Sequence, residues 1–475
     1  MKRQYGIIGF CVLVLIILST VALAEFYHRA PDVIPGTLPE MRNPSYWIDL
    51  MDKPDEVVLT PGQIQDMNKN YRKWISSPDP FKDVAEERIP ELTYWWPGII
   101  SYVPDLHNLP LKAVADTVKM RIQNQIDYMR KMEFGSILGI KYRDQELDAF
   151  VDEMALDRVD EDVTVLDAIS VRWAQFRVIP TFKPNQIGLR GNGETRWDTW
   201  NVGIVKIGRP VTVLHTSRSG EYVFVLSDNG YGWVRSEYIA FGDKEEIDVF
   251  ANPKDFVVCT GDRVPFYSDS SCRYSSGWFG MGDRLPLASI FDSNTIKVPL
   301  RKMNGELAIE TAYLAKDADV HRGWLPYTRC NVVVTAFKLL DNMYDFNGAW
   351  FGRQHETTYR DIFACFGFVL PRHGGMFTFY NNNETNKKVL PPDIGFENQC
   401  KEILKHEPFI TLQSCGGHAQ LFLGENDGIP IVLDQHGYGY KDDEGKFLVI
   451  RRCVIGDERL PTYFLTRKVT FLELR

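Results

Sequence analysis

The chain is poor in cysteine, with 8 in 475 residues, and none of them forms a C-x-x-C pair. That excludes zinc ribbons and tight disulfide scaffolds, whose frameworks are closely spaced thiols. Buried free thiols with at most one bridge are expected, and Cys259 and Cys272 are the pair placed to close a surface loop. Basic excess is missing as well: the formal net charge is -9, so the electrostatic footprint of a nucleic-acid partner is absent. No cofactor is expected. The most apolar run, Ile7 to Leu18, is too short to cross a bilayer comfortably.

That run is nevertheless informative. Lys2 and Arg3 precede it and Ala22-Leu23-Ala24 close it, the layout of a secretory signal over residues 1–24. Cleavage after Ala24 is expected, and an uncleaved signal is the one route to a membrane anchor. Cys11 lies inside the run, so no lipobox follows. The expected location is outside the cytoplasm, in the periplasm or cell envelope. The roughly 450 remaining residues exceed one hydrophobic core, so several domains are expected.

Residues 25–170 read as a mostly helical unit that begins as a wrapping segment. A helix opens at Thr60-Pro61 and runs towards Trp74, with proline at a permitted first position. A stronger one covers Lys112 to Met132, where Val114, Val118, Ile122, Ile126 and Met129 make one apolar face. A third spans Arg143 to Met154. The period then shortens: Val211 to Leu214, Tyr222 to Val225 and Gly232 to Val234 alternate with turns at Ser217–Gly220 and Asp228–Gly230, which predicts a small β-barrel. A second all-β stretch runs from Val257 to Lys316. After His321, helices are expected at Tyr327 to Leu340 and His355 to Phe366. Two strands joined at Asn426-Asp427-Gly428 follow. Trp95-Trp96, Trp197 and Trp200 read as interface core in preference to a sugar groove.

Gly208-Arg-Pro-Val-Thr-Val-Leu214 and Gly232-Trp-Val234 resemble the bacterial SH3 domain over roughly Arg177 to Gly242. The stretch with Asp262 to Tyr267 and Met281 to Pro286 resembles a second such module. Counting from His355, Phe363 stands at eight, Gly367 at twelve and Leu370-Pro371-Arg372 at fifteen to seventeen. This is the spacing that NlpC/p60 cell-wall peptidases keep after their "DCSGLV" cysteine. Gly417-His418-Ala-Gln-Leu-Phe-Leu-Gly424 resembles their "HxxLYLG" strand. The resemblance implies a multidomain α+β chain: residues 1–24 signal, 25–170 helical N-terminal domain, 171–245 and 246–320 two SH3-like β-barrels, 321–475 a C-terminal papain-like domain.

The resemblance also implies a chemistry. A cysteine at a helix N-terminus, held as thiolate by the macrodipole and a histidine, attacks the γ-D-glutamyl to diamino-acid amide of a peptidoglycan stem peptide. His418 takes the place of that histidine, with Asp434 or, two residues on along the same face, His436 as the third residue. At the nucleophile, Asp-Cys-Ser is replaced by Gln354-His355-Glu356. The lost aspartate resembles a group that pairs with the stem peptide's free amine, so Gln354 and Glu356 become the candidate substrate contacts. An imidazole at a helix start is disfavoured as a cation. His355, His418 and Asp434 or His436 are therefore a candidate divalent-metal set. Cys415, three residues before His418, reads as a packed or bridged thiol, with a migrated nucleophile as the alternative. Two functions follow: a non-catalytic envelope protein binding stem peptides or an envelope partner, or a hydrolase with a rearranged or metal-assisted site.

Overall fold

The computed structural model describes residues 28–75, 106–131, 134–135, 140–187, 197–228, 230–371, 380, 386–391, 394–415, 418–460 and 469–475. The predicted signal segment, Trp95, Trp96, Arg372 and Gly417 lie outside them. Among the described residues no helix is long and apolar enough to cross a membrane.

Helix α1 (Pro44–Asp49) opens on Asn43, whose side chain accepts from the Ser45 N–H. Helix α2 (Pro61–Ile75) opens on a reciprocal cap in which Thr60 and Gln63 exchange hydrogen bonds, satisfying donors that a bare helix start leaves open. Helix α3 (Leu111–Lys131) buries Val114, Val118, Ile122, Ile126 and Met129, the face read from the sequence. Helix α4 (Asp144–Glu153) follows. The expected N-terminal unit does not build one core of its own. Met41, Trp47, Leu59 and Ile64 join the core of the C-terminal part, while α3 and α4 pack under the first sheet. The early segment wraps: His28–Arg29 pairs in parallel with Phe447–Val449, and Arg452 donates to the Ala30 and Pro31 carbonyls.

The first sheet has seven antiparallel strands between Leu166 and Phe241, and the second has seven between Phe256 and Arg322. Helix α5 (Lys244–Ala251) joins them, capped by Asp243 and Glu246. Trp200, fully buried beneath the first sheet, stacks on Tyr142 at 5.3 Å, so it is core. The Cys259–Cys272 bridge that the sequence left possible is not formed. Both are free thiols, and Cys259 is buried with its Sγ against the Gly261 and Phe279 carbonyls. It belongs to the apolar core of the second sheet.

The C-terminal part is a six-stranded antiparallel sheet in the order Lys387–Leu390, Val469–Glu473, Thr411–Ser414, Ala419–Asn426, Ile429–His436, Arg452–Asp457. The turn at Asn426–Ile429 carries positive φ at Asp427 (51°) and Gly428 (74°), the mirror-image turn that matches strand twist. Helix α6 (Arg329–Phe337) is shorter than expected, because Tyr327–Thr328 is a strand against Val57–Leu59 and Thr328 caps the helix. Helix α7 (His355–Ala364) lies on the sheet, with Tyr359 donating to the Leu433 carbonyl at 2.7 Å. Helix α8 (Phe396–Ile403) completes the part.

Candidate active site

Two cross-strand rows assemble the site. Leu421 pairs with Leu433, a register that sets Gln420 opposite Asp434 and His418 opposite His436. All four project on one face because strand side chains alternate. The start of α7 is brought over that face by the loop before it. Asn201 of the first sheet and Asn347 donate to each other's carbonyls at 2.8 and 2.9 Å. The Asp345 carboxylate accepts from the Trp350 and Gly352 amides, each at 2.7 Å, and burial pushes it up to about 6. Trp197 stacks on Phe346 at 4.9 Å and meets Tyr438 edge-on at 5.1 Å, so it seals the junction between the first sheet and the C-terminal part.

The outcome is a buried cluster of imidazoles around one carboxylate. The rings of His355 and His418 have centroids 4.4 Å apart. His418 Nε2 lies 2.9 Å from Asp434 Oδ1, and His436 Nδ1 lies 3.0 Å from Asp434 Oδ2. A carboxylate only accepts, so both nitrogens carry hydrogen, which leaves the other nitrogen of each ring with a lone pair when neutral. Burial raises the Asp434 carboxyl, but His418 and His436 outweigh it and hold the group well below the usual carboxylate range. His355 Nε2 is 3.1 Å from Glu356 Oε2, both residues being buried. Gln354 accepts from the Asn347 amide through Oε1.

Sequence reading missed the row behind Asp434. Gln420 Nε2 donates to Asp434 Oδ2 at 3.0 Å, and Gln413 Nε2 donates to Gln420 Oε1. Gln413 also reaches both oxygens of Glu458 at 2.9 and 2.8 Å, and Gln399 Nε2 donates to Glu458 at 2.6 Å. All four partners are buried. Burial pushes Glu458 up to about 8, with Asp434 adding to the effect. The alternation of His418 and Gln420 was the one signal available in the sequence. Glu458 had none.

The thiols lie elsewhere. Cys415 packs in a small apolar core with Leu390, Ile403, Phe422, Val469 and Phe471. Burial raises Cys365 to about 12 and raises Cys453 further. As to metals, the donor atoms that lie within 4.8 Å of one another belong to His418, Asp434 and His436. His355 is not in that group.

The arrangement can hold an imidazole pair in one tautomer and position and offer a general base. Cysteine-type acyl transfer also needs a sulfur beside His418, and the ring of His355 faces it. A solved NlpC/P60 endopeptidase from Photobacterium damselae subsp. piscicida superposes with a TM-score of 0.66 at 16% identity, over 94% of this chain and 99% of that one. The chain has the NlpC/P60 endopeptidase fold. An SH3 domain model of the SH3b1 type matches residues 188–235, within the first sheet region of this NlpC/P60-fold chain. Two Trichomonas vaginalis structures, NlpC2 and NlpC1, align at TM-scores of 0.22 and 0.23 with 8% identity. They cover 62% and 65% of this chain and 96% and 93% of their own, and carry no argument at that similarity. No curated protein sequence matches the chain.

Proposed function

We propose that this is an exported cell-envelope protein that binds peptidoglycan stem peptides, or an envelope partner, through the cleft of a degenerate NlpC/P60 site. Its proposed units are the signal 1–24, the helical region 25–170, whose apolar faces divide between the first-sheet and C-terminal cores, SH3 modules 171–245 and 246–320, and the NlpC/P60 domain 321–475. One observation carries the reading: the group facing His418 is the imidazole of His355, with ring centroids 4.4 Å apart. The family reaction passes through an acyl-enzyme on an activated thiolate. An imidazole lacks that nucleophile's reactivity, while the positioning residues around it are retained. Gln354 and Glu356, where the family's substrate-pairing aspartate and the serine after its cysteine stand, fit an altered ligand preference.

Incubating the mature protein with muropeptides, followed by mass spectrometry and a parallel pull-down on intact sacculi, tests it. Retention without cleavage is expected. Cleavage at the γ-D-glutamyl bond would defeat the binding reading.

The grouping of His418, Asp434 and His436 donors within 4.8 Å favours a second reading, a hydrolase whose water is activated by a divalent metal. Metal-free protein of unchanged stability after purification without chelators would end that alternative.

A further inference from the structure

A cleft of about 520 Å³ lies between the two sheets and α7, reaching Gln354 and Thr357 at the first turn of that helix. Its charges do not balance. Arg72, Arg209, Arg284 and Arg360 line it together with Lys206, whereas the acidic lining groups among the described residues are Asp228 and Asp361. The Asp361 carboxylate is already engaged, at 2.6 Å by Lys206 and 2.8 Å by Arg353. Even with Asp228 set against Arg360, three arginines remain, and no ion pair to Arg72 or Arg209 occurs among the described residues. Arg284 is fixed in place: its guanidinium lies over Trp324 and Phe256 at 5.4 and 5.8 Å and donates to the Ala251 carbonyl. Burial, and then the charges of Arg209 and Arg72, lower it to about 10. Like charges held together, with one of them stacked and preoriented, are relieved by a bound anion.

The anion is small. A net charge of -9 over the chain opposes a long polyanion, and a cleft of this volume suits a ligand of a few residues. We propose that Arg72, Arg209 and Arg284 form a carboxylate-binding subsite that holds an acidic peptide running along the cleft towards the start of α7. This deepens the stem-peptide reading above and rests on it, because a stem peptide joined through the γ-carboxyl of D-glutamate keeps that residue's α-carboxylate free beside those of the diamino acid, several carboxylates on one short chain. Planar guanidinium forks match carboxylates two bonds at a time, so the cluster recognises the peptide by its acid groups, leaving side-chain shape to the site at His355.

Calorimetric titration of the full mature chain with L-alanyl-γ-D-glutamyl-diaminopimelate, with the same peptide amidated at its carboxyls, and with inorganic phosphate tests the subsite. The double variant Arg72→Gln/Arg209→Gln alters residues that lie outside the apolar cores, so it is expected to fold. Arg284→Gln is run beside it with circular dichroism as the folding check. The expected result is binding of the acidic peptide that weakens by about tenfold or more in the double variant and on amidation, and that falls with added salt. Equal affinity of variant and wild type, equal affinity for the amidated peptide, or displacement by phosphate at the peptide's own concentration would each overturn the assignment. Failure of the peptide to bind would overturn it too. Retention on sacculi in the same preparation would then leave the broader binding reading standing, and loss of retention would remove both.

Discussion

The rings of His355 and His418 face each other at the start of α7, with centroids 4.4 Å apart. Asp434 lies against His418, and the first sheet clamps the loop before His355.

His355→Cys is therefore expected to create a reactive thiol. At a helix N-terminus beside an oriented imidazole, its alkylation should run at least about tenfold faster than that of any native cysteine. Iodoacetamide kinetics with mass-spectrometric site mapping measures this, and cleavage of muropeptides should appear in the same variant. A folded variant with an inert thiol would show that the cleft no longer supports the family geometry.

Asp434→Ala should destabilise the fold by about 3 kcal/mol or more, since it strands two buried imidazole N–H donors. Urea unfolding at neutral pH reads the loss. Because its pKa is depressed in the folded state, Asp434 contributes stability above the ordinary carboxylate range. That contribution is lost as the pH falls through and below that range. Asp434→Asn should remove that acid-side slope.

Glu458 has the opposite sign. Its carboxyl is raised from 4.5 to about 8, so the folded state favours the protonated form. Its contribution is complete below pH 4.5 and is lost as the pH climbs through about 8. The span corresponds to up to about 5 kcal/mol. Thermal unfolding between pH 5 and 9 should show the decline in the wild type and a flatter curve in Glu458→Gln. The substituted amide keeps an oxygen to accept from Gln413 Nε2 and Gln399 Nε2, as Glu458 Oε1 does. Parallel curves would rule out a neutral acid there.

Lys206 ties three parts of the chain together. Its Nζ lies 2.6 Å from Asp361 on α7, 3.3 Å from Asp283 of the second sheet and 3.0 Å from the Met281 carbonyl. Lys206→Met leaves two buried carboxylates short of a counter-charge, at a cost of about 3 kcal/mol. A urea midpoint within error of the wild type would mean that the Lys206 ion pairs add nothing to the hold of the first sheet on the C-terminal part.

Local rules made much of the architecture legible. The periodicity of Val114 to Met129 names the buried face of α3, Thr60 and Gln63 cap α2, and Asp427-Gly428 sets the turn whose register aligns the His418 and Asp434 strands. Each follows from residues within one turn or one hairpin of each other, where backbone sterics and hydrogen bonding decide. The spacing from His355 to Gly367 and the alternation of Asp434 and His436 likewise pointed to the site.

Only the tertiary structure decided the rest. That α1 and α2 serve the C-terminal core while α3 serves the first sheet depends on which apolar faces find each other, and the faces themselves look alike in sequence. Gln399, Gln413, Gln420 and Glu458 come from four separate elements, and glutamine reads as surface polarity until burial forces each amide to find a partner. The arginines of the cleft were unremarkable for the same reason: charge becomes informative only when distant segments hold it close together and away from water.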